Sequence, residues 1–255
     1  MSKVRDRLTV DRSHTLLIGG ILVVLALLAT VPAWSVGYTT DFLIGQCSWS
    51  HKGTQNPYFS LRPGDRLILE GEEDDAEIEV QITVLRRTEV ITFETSDGEE
   101  LTVRARVVEE MEWEDGELVE VSHNWFARCV QTSDIYYFGE EVDIYEDGEI
   151  VSHDGAWRAG EDDAMPGIIM PGTYLLGSKY FQEIAPDVAM DRAKHIDMDL
   201  DVMVPAGSFS QCVAVKETTP LAPGEESFKV YCPGVGLVID DVVDLVERER
   251  VPANQ

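Results

Sequence analysis

Basic residues are scarce in this chain. Its 255 residues include 20 Lys and Arg against 48 Asp and Glu, a net charge of −28. So acidic a chain excludes unaided binding to nucleic acid or to an anionic membrane surface. The usual catalytic signatures are missing as well. No Gly-x-Ser-x-Gly elbow occurs, and Gly177-Ser178-Lys179 and Gly207-Ser208-Phe209 do not supply one. No phosphate-binding loop or dinucleotide fingerprint is present. No two of the four cysteines have the Cys-x-x-Cys spacing of a redox or zinc site. The expectation is therefore a non-enzyme without a cofactor, with an exported hydrolase as the alternative.

Charge of either sign is also missing from residues 15–34, TLLIGGILVVLALLATVPAW, which begin at Thr15 and end at Trp34. Twenty helical residues rise about 30 Å, the thickness of a bilayer's hydrocarbon core. Lys3, Arg5, Arg7 and Arg12 precede the stretch, against Asp6 and Asp11. Positive charge stays inside. The expected topology is a basic cytoplasmic tail over residues 1–14, a single-pass anchor in the cytoplasmic membrane over 15–34, and an exported remainder, periplasmic or extracellular. The adjacent Gly19 and Gly20 offer a neighbouring helix close approach. A cleaved signal peptide ending at Val31-Pro32-Ala33 is the rival reading. The first 33 residues carry +2, so the exported part carries −30 of the total. Its Glu72-Glu73-Asp74-Asp75 run lacks the spaced ligands of a Ca²⁺ loop and reads as an exposed turn.

Cys47, Cys129, Cys212 and Cys232 all lie beyond the apolar stretch, and four is even. In an exported domain two disulfides are expected. Cys212 and Cys232 flank a Pro/Gly-rich connection, TPLAPG at 219–224. A hairpin centred near Ala222 sets Lys216 opposite Phe228, Ala214 opposite Val230 and Cys212 opposite Cys232. Cys47 and Cys129 then pair by elimination.

Beyond the apolar stretch the chain is β-patterned. Residues 35–64, with Gly37, Gly45, Gly53, Pro57 and Pro63, form a tether leading into the domain. Apolar and polar residues alternate through 77–84 and 101–107, and 66–70 and 88–94 also read as strands, so an antiparallel meander is predicted. WEDGELVEVSHNW at 113–125 echoes YEDGEIVSHDGAW at 145–157. Asp-Gly between strand-like runs is the type I′ hairpin signal. A looser echo, of 56–71 in 168–183, suggests two related β halves, 65–155 and 156–255. Pro186 at a first turn predicts one short helix over 186–194. Asp197, Asp199 and Asp201 alternate with apolar neighbours and read as a solvated strand face. The predicted fold is mainly β: an antiparallel sandwich or open barrel with one short helix.

Metal binding is the best chemical alternative. His51, His123, His153 and His195 lie on the exported side with several methionines, a combination that suits copper. No pair has short ligand spacing, so a site has to assemble across the fold. The middle third is rich in aromatics, with Trp125, Phe126, Tyr136, Tyr137 and Phe138 among them. In a β fold these are core first, although an open barrel lined by them can hold an apolar ligand.

NPYF-x-L-x-PG at 56–64, YYFGEE at 136–141, PGIIMPG at 166–172, VPAGSF at 204–209 and PGVGLV at 233–238 together resemble a family of exported bacterial β-rich proteins. The resemblance spans most of 56–240. It implies an exported β fold with an N-terminal signal or anchor, and no activity to transfer. In that pattern Cys212, Cys232 and His153 are commonly other residues, so the disulfides and histidines are particular to this chain.

The leading functional expectation is an accessory subunit: a membrane-anchored, non-catalytic β protein that interacts with a membrane-embedded complex or another envelope protein. The alternatives are an envelope binder or carrier of a lipid or other small apolar ligand, and a copper-like or hydrolytic exported domain.

Overall fold

The computed structural model describes residues 37–252. Residues 15–34, with Gly19 and Gly20, lie outside them. Among the described residues no helix is long and apolar enough to cross a membrane.

The first half supplies β1 (Trp49–Ser50), β2 (Asp65–Glu73), β3 (Ala76–Glu94), β4 (Glu100–Glu114), β5 (Glu117–Cys129), β6 (Ile135–Glu146) and β7 (Glu149–Ser152). The second supplies β8 (Trp157–Arg158), β9 (Met165–Met170), β10 (Lys179–Phe181), β11 (Glu183–Ile184), β12 (Arg192–Val204), β13 (Gly207–Thr218), β14 (Ser227–Cys232), β15 (Gly236–Asp240) and β16 (Val243–Arg250). Strands β2 to β6 form one antiparallel meander and β12 to β16 another. β16 pairs with β2 and joins the two. At the far side β6 pairs with β9, β9 with β11, and β10 with β12. Because β10 and β11 follow each other in one short run, the single sheet nearly closes into a barrel. The strands of both halves therefore share one sheet, not two packed ones.

Local chemistry explains the turns. Asp115-Gly116 and Asp147-Gly148 take positive φ at both positions (50° and 80°, 52° and 78°), as type I′ hairpins require. The Glu72–Asp75 run is indeed a hairpin turn. There Asp74 and Asp75 adopt the same left-handed conformation, with φ of 51° and 75°, without a glycine. The segments 77–84 and 88–94 belong to one 19-residue strand, β3, and not to two. The pairing with β4 slips between Val84 and Thr88. The buried Arg106 side chain holds that irregularity: its Nη1 donates to the carbonyls of Leu85 (3.2 Å) and Arg86 (2.7 Å), and its Nε to that of His51 (3.0 Å).

The helix expected over 186–194 is a correction. Val188 N–H bonds back to Ala185 C=O, and Asp187 sits at φ 63°. Pro186 thus occupies the second position of a type II turn instead of a helix start. β12 begins at Arg192, and the described residues' only helical piece is a 3₁₀ turn at Ile44–Gln46. The aspartate face of β12 is also broken: pairing slips at three points from His195 to Val202, and Asp199 takes φ 57°.

β6 is buried on both faces, which accounts for its run of aromatics. Tyr136 and Phe138 each meet Trp49 edge-on at 5.2 Å. Tyr137 turns the other way, against Phe126 and Trp157. The segment bearing Trp49 is pinned by pairing of β1 with β5 and by the Cys47–Cys129 disulfide. Cys212 and Cys232 are joined too, and Lys216 faces Phe228 and Ala214 faces Val230, as the loop position predicts.

The two bridges close loops of different length, with sequence separations of 82 and 20. In the chain-entropy description their removal costs about 4.5 and about 3.3 kcal/mol respectively. Urea unfolding of Cys47→Ala/Cys129→Ala and Cys212→Ala/Cys232→Ala is expected to show the larger loss for the first pair.

Candidate functional site

The barrel surrounds a partly open chamber of about 290 Å³. One wall is apolar, built from Ile82 and Val84 of β3, Val108 of β4 and Phe126 of β5. The remainder is unexpectedly acidic. Eight carboxylates line the chamber, and Lys229 is the one lysine or arginine among its lining residues. One of the eight, Asp65, lies at the wall shared with a neighbouring cleft, where Ser60, Arg62 and Arg250 hold it.

Strand phase places these side chains. On β13, Glu217 continues the inward face of the buried Val213 and Val215. On β4, Glu110 likewise follows Val108. Lys229 of β14 reaches Asp240 (3.2 Å) and Glu217 (3.4 Å). Burial opposes its charge, but these two carboxylates outweigh that and hold its pKa well above the usual lysine value. Glu110 finds no such close partner. Desolvation pushes its pKa up to about 7. Glu140 of β6 is likewise pushed to about 7 by desolvation, against the lowering influence of the neighbouring Tyr137 hydroxyl, which itself donates to Asn124 Oδ1. Glu183, buried on β11, accepts from the Asp191 N–H at 2.6 Å and is raised well above the carboxylate range by burial. Glu120, Asp191 and Glu217 are raised for the same first cause.

Gln182 sits at the seam between β10 and β11. Its N–H bonds to Asp191 C=O, and its side-chain Nε2 donates to Glu217 Oε1 at 2.7 Å. The side chain is 2% exposed, and its Oε1 has no hydrogen-bond partner among the described residues. A buried amide oxygen without a donor costs about 1–3 kcal/mol unless something fills the place.

The four histidines are not brought together. His195 is 1% exposed and stacks on Tyr174 at 3.7 Å. Its Nδ1 bonds to the Leu175 carbonyl and its Nε2 to the Tyr180 hydroxyl. That set fits a neutral ring, and burial lowers its pKa to about 4. His123 pairs with Glu109, His153 lies against Val142 C=O and Asp143, and His51 is beside Arg106. Among the described residues no three His, Cys, Asp or Glu converge as a metal site. Each of the four histidines serves its own part of the sheet.

The sequence allows for a ligand-holding barrel, but not for the acidic lining of its chamber. The available signal was a glutamate continuing an apolar phase, as at Val108–Glu110 and Val213–Val215–Glu217. Among 48 acidic residues it does not stand out. Compared with family models, curated proteins and solved structures, the chain matches none.

A carboxylate with a raised folded-state pKa contributes stability at low pH that is lost as pH rises. For Glu110 the window runs from about 4.5 to about 7. Glu110→Gln, which stays neutral, is expected to gain on the wild type from pH 5 to pH 8, by up to about 3 kcal/mol. Urea unfolding at both pH values checks this. Taking the difference between the two proteins cancels the opposing titration of His195.

Proposed function

We propose that the protein is a non-catalytic extracytoplasmic binding protein whose barrel holds a small molecule, tethered to the outer face of the cytoplasmic membrane by residues 15–34. The observation that carries this reading is the chamber itself: a partly open space with an apolar wall, polar and acidic lining groups and, among its lining residues, a buried amide oxygen without a donor. Small-molecule sites have this composition and start at roughly 300 Å³. The size suits a metabolite better than a two-chain lipid. The mixed lining suits a ligand with both apolar and hydrogen-bonding parts. The chamber thus favours the binder over the accessory subunit, and the relatedness of the two β halves remains part of the same proposal. Packing through Gly19 and Gly20 can still bring a membrane partner to the anchor.

The test is extraction in mild detergent, followed by denaturing release and mass spectrometry of small molecules. Wild-type protein is expected to release a ligand in near-stoichiometric amount. Val108→Trp, which fills the chamber from its apolar wall, is expected to release none while keeping both disulfides and its β circular dichroism. Equal release from the two proteins, or none from the wild type, overturns the reading.

A further inference from the structure

We propose that the ligand of this chamber is a small organic ammonium ion, held by the carboxylates around Glu110 and Glu140 and by the free carbonyl oxygen of Gln182. The inference rests on the binding-barrel reading and adds the chemical class of the ligand.

Three observations lead to it. The first is the charge imbalance. Lys229 is committed to Glu217 and Asp240, which leaves Glu110, Glu120, Glu140 and Glu183 without an ion-pair partner inside the chamber. The arginines of the neighbouring cleft do not supply one: Arg62 and Arg250 pair with Asp65, and Arg66 pairs with Glu249. The second is Gln182 Oε1, a buried acceptor with no donor. A primary ammonium presents three N–H donors, and ionised carboxylates and an amide oxygen are pure acceptors. The third is the wall. Phe126, Tyr137 and Tyr231 bring aromatic rings to the chamber, and aromatic faces attract organic cations.

The groups around the two central glutamates set the pH behaviour. Glu110 faces Lys229 of β14, Asp240 of β15 and Glu120 of β5, with Glu112 on its own strand. Glu140 faces Tyr137 on its own strand, Glu120 and Glu110 across the sheet, and Asp191 and Glu183 at the seam. Burial, reinforced by these mostly acidic neighbours, keeps a proton on each glutamate up to about pH 7. An ammonium ion replaces those protons. Binding therefore releases protons and strengthens as pH rises, while the amine itself stays charged.

Calorimetric titration of the full chain in detergent, with 1,4-diaminobutane and its uncharged isostere 1,4-butanediol, tests this. The diamine is expected to bind at pH 8, at least tenfold more weakly at pH 5.5, and at pH 6.5 with a heat that depends on the buffer's ionisation enthalpy. The diol is expected not to bind. Gln182→Leu and, separately, Glu140→Gln are each expected to weaken the diamine at least fivefold with the β circular dichroism intact. Glu140→Gln is also expected to reduce the proton release. Diol binding equal to the diamine's, or diamine affinity indifferent to pH, overturns the inference. A neutral molecule released from wild-type protein but not from Val108→Trp overturns the ammonium assignment and leaves the binding barrel standing. Absence of any released ligand removes both.

Discussion

A sheet leaves two edges of unpaired backbone groups, and these must be paired or covered. In this protein both edges are met by one run of six residues, 179–184. Its first half pairs with β12 and its second half with β9. Gln182 stands at the joint, its N–H spent on Asp191 and its side chain on Glu217. Gly167 permits this meeting, because a Cβ there would lie 2.4 Å from the Phe181 carbonyl oxygen. The chamber lies where the sheet nearly closes, and the seam at that point holds a buried amide oxygen without a donor.

Closure also explains how so acidic a chain tolerates carboxylates inside. Each buried charge is costly unless it is paired, hydrogen-bonded or neutralised. All three solutions are used. Glu217 and Asp240 pair with Lys229, Glu183 takes a backbone N–H, and Glu110 and Glu140 hold their protons up to about pH 7. The pairs are fixed, whereas the protonated glutamates remain responsive. A ligand that brings its own positive charge competes with protons there and leaves the Lys229 pairs intact. The two disulfides sit away from this chemistry. One holds the Trp49 segment over β6, and the other fixes the β13–β14 register that aims Glu217 and Lys229 inward.

Several features were legible in the residues alone, each because its cause is local. Period-two alternation marks the strands, since successive side chains on a strand point to opposite faces. Asp115-Gly116 and Asp147-Gly148 mark hairpins, since both turn positions need positive φ. The 219–224 loop sets a register that places Cys212 beside Cys232. Pro186 misled because proline's fixed φ suits both a helix start and a turn, and Asp187 decided for the turn.

The residues by themselves determined an acidic, disulfide-bonded, antiparallel β chain preceded by an apolar stretch, because composition and short-range periodicity suffice for each. Only the tertiary structure decided the barrel, its seam and its chamber. Glu110, Glu140, Glu183 and Glu217 come from four strands that no local pattern links. Their burial, and hence their protonation, depends on which neighbours closure sets around them. An interior glutamate and a surface one read alike along the chain. They differ only in how much water the folded sheet leaves beside them.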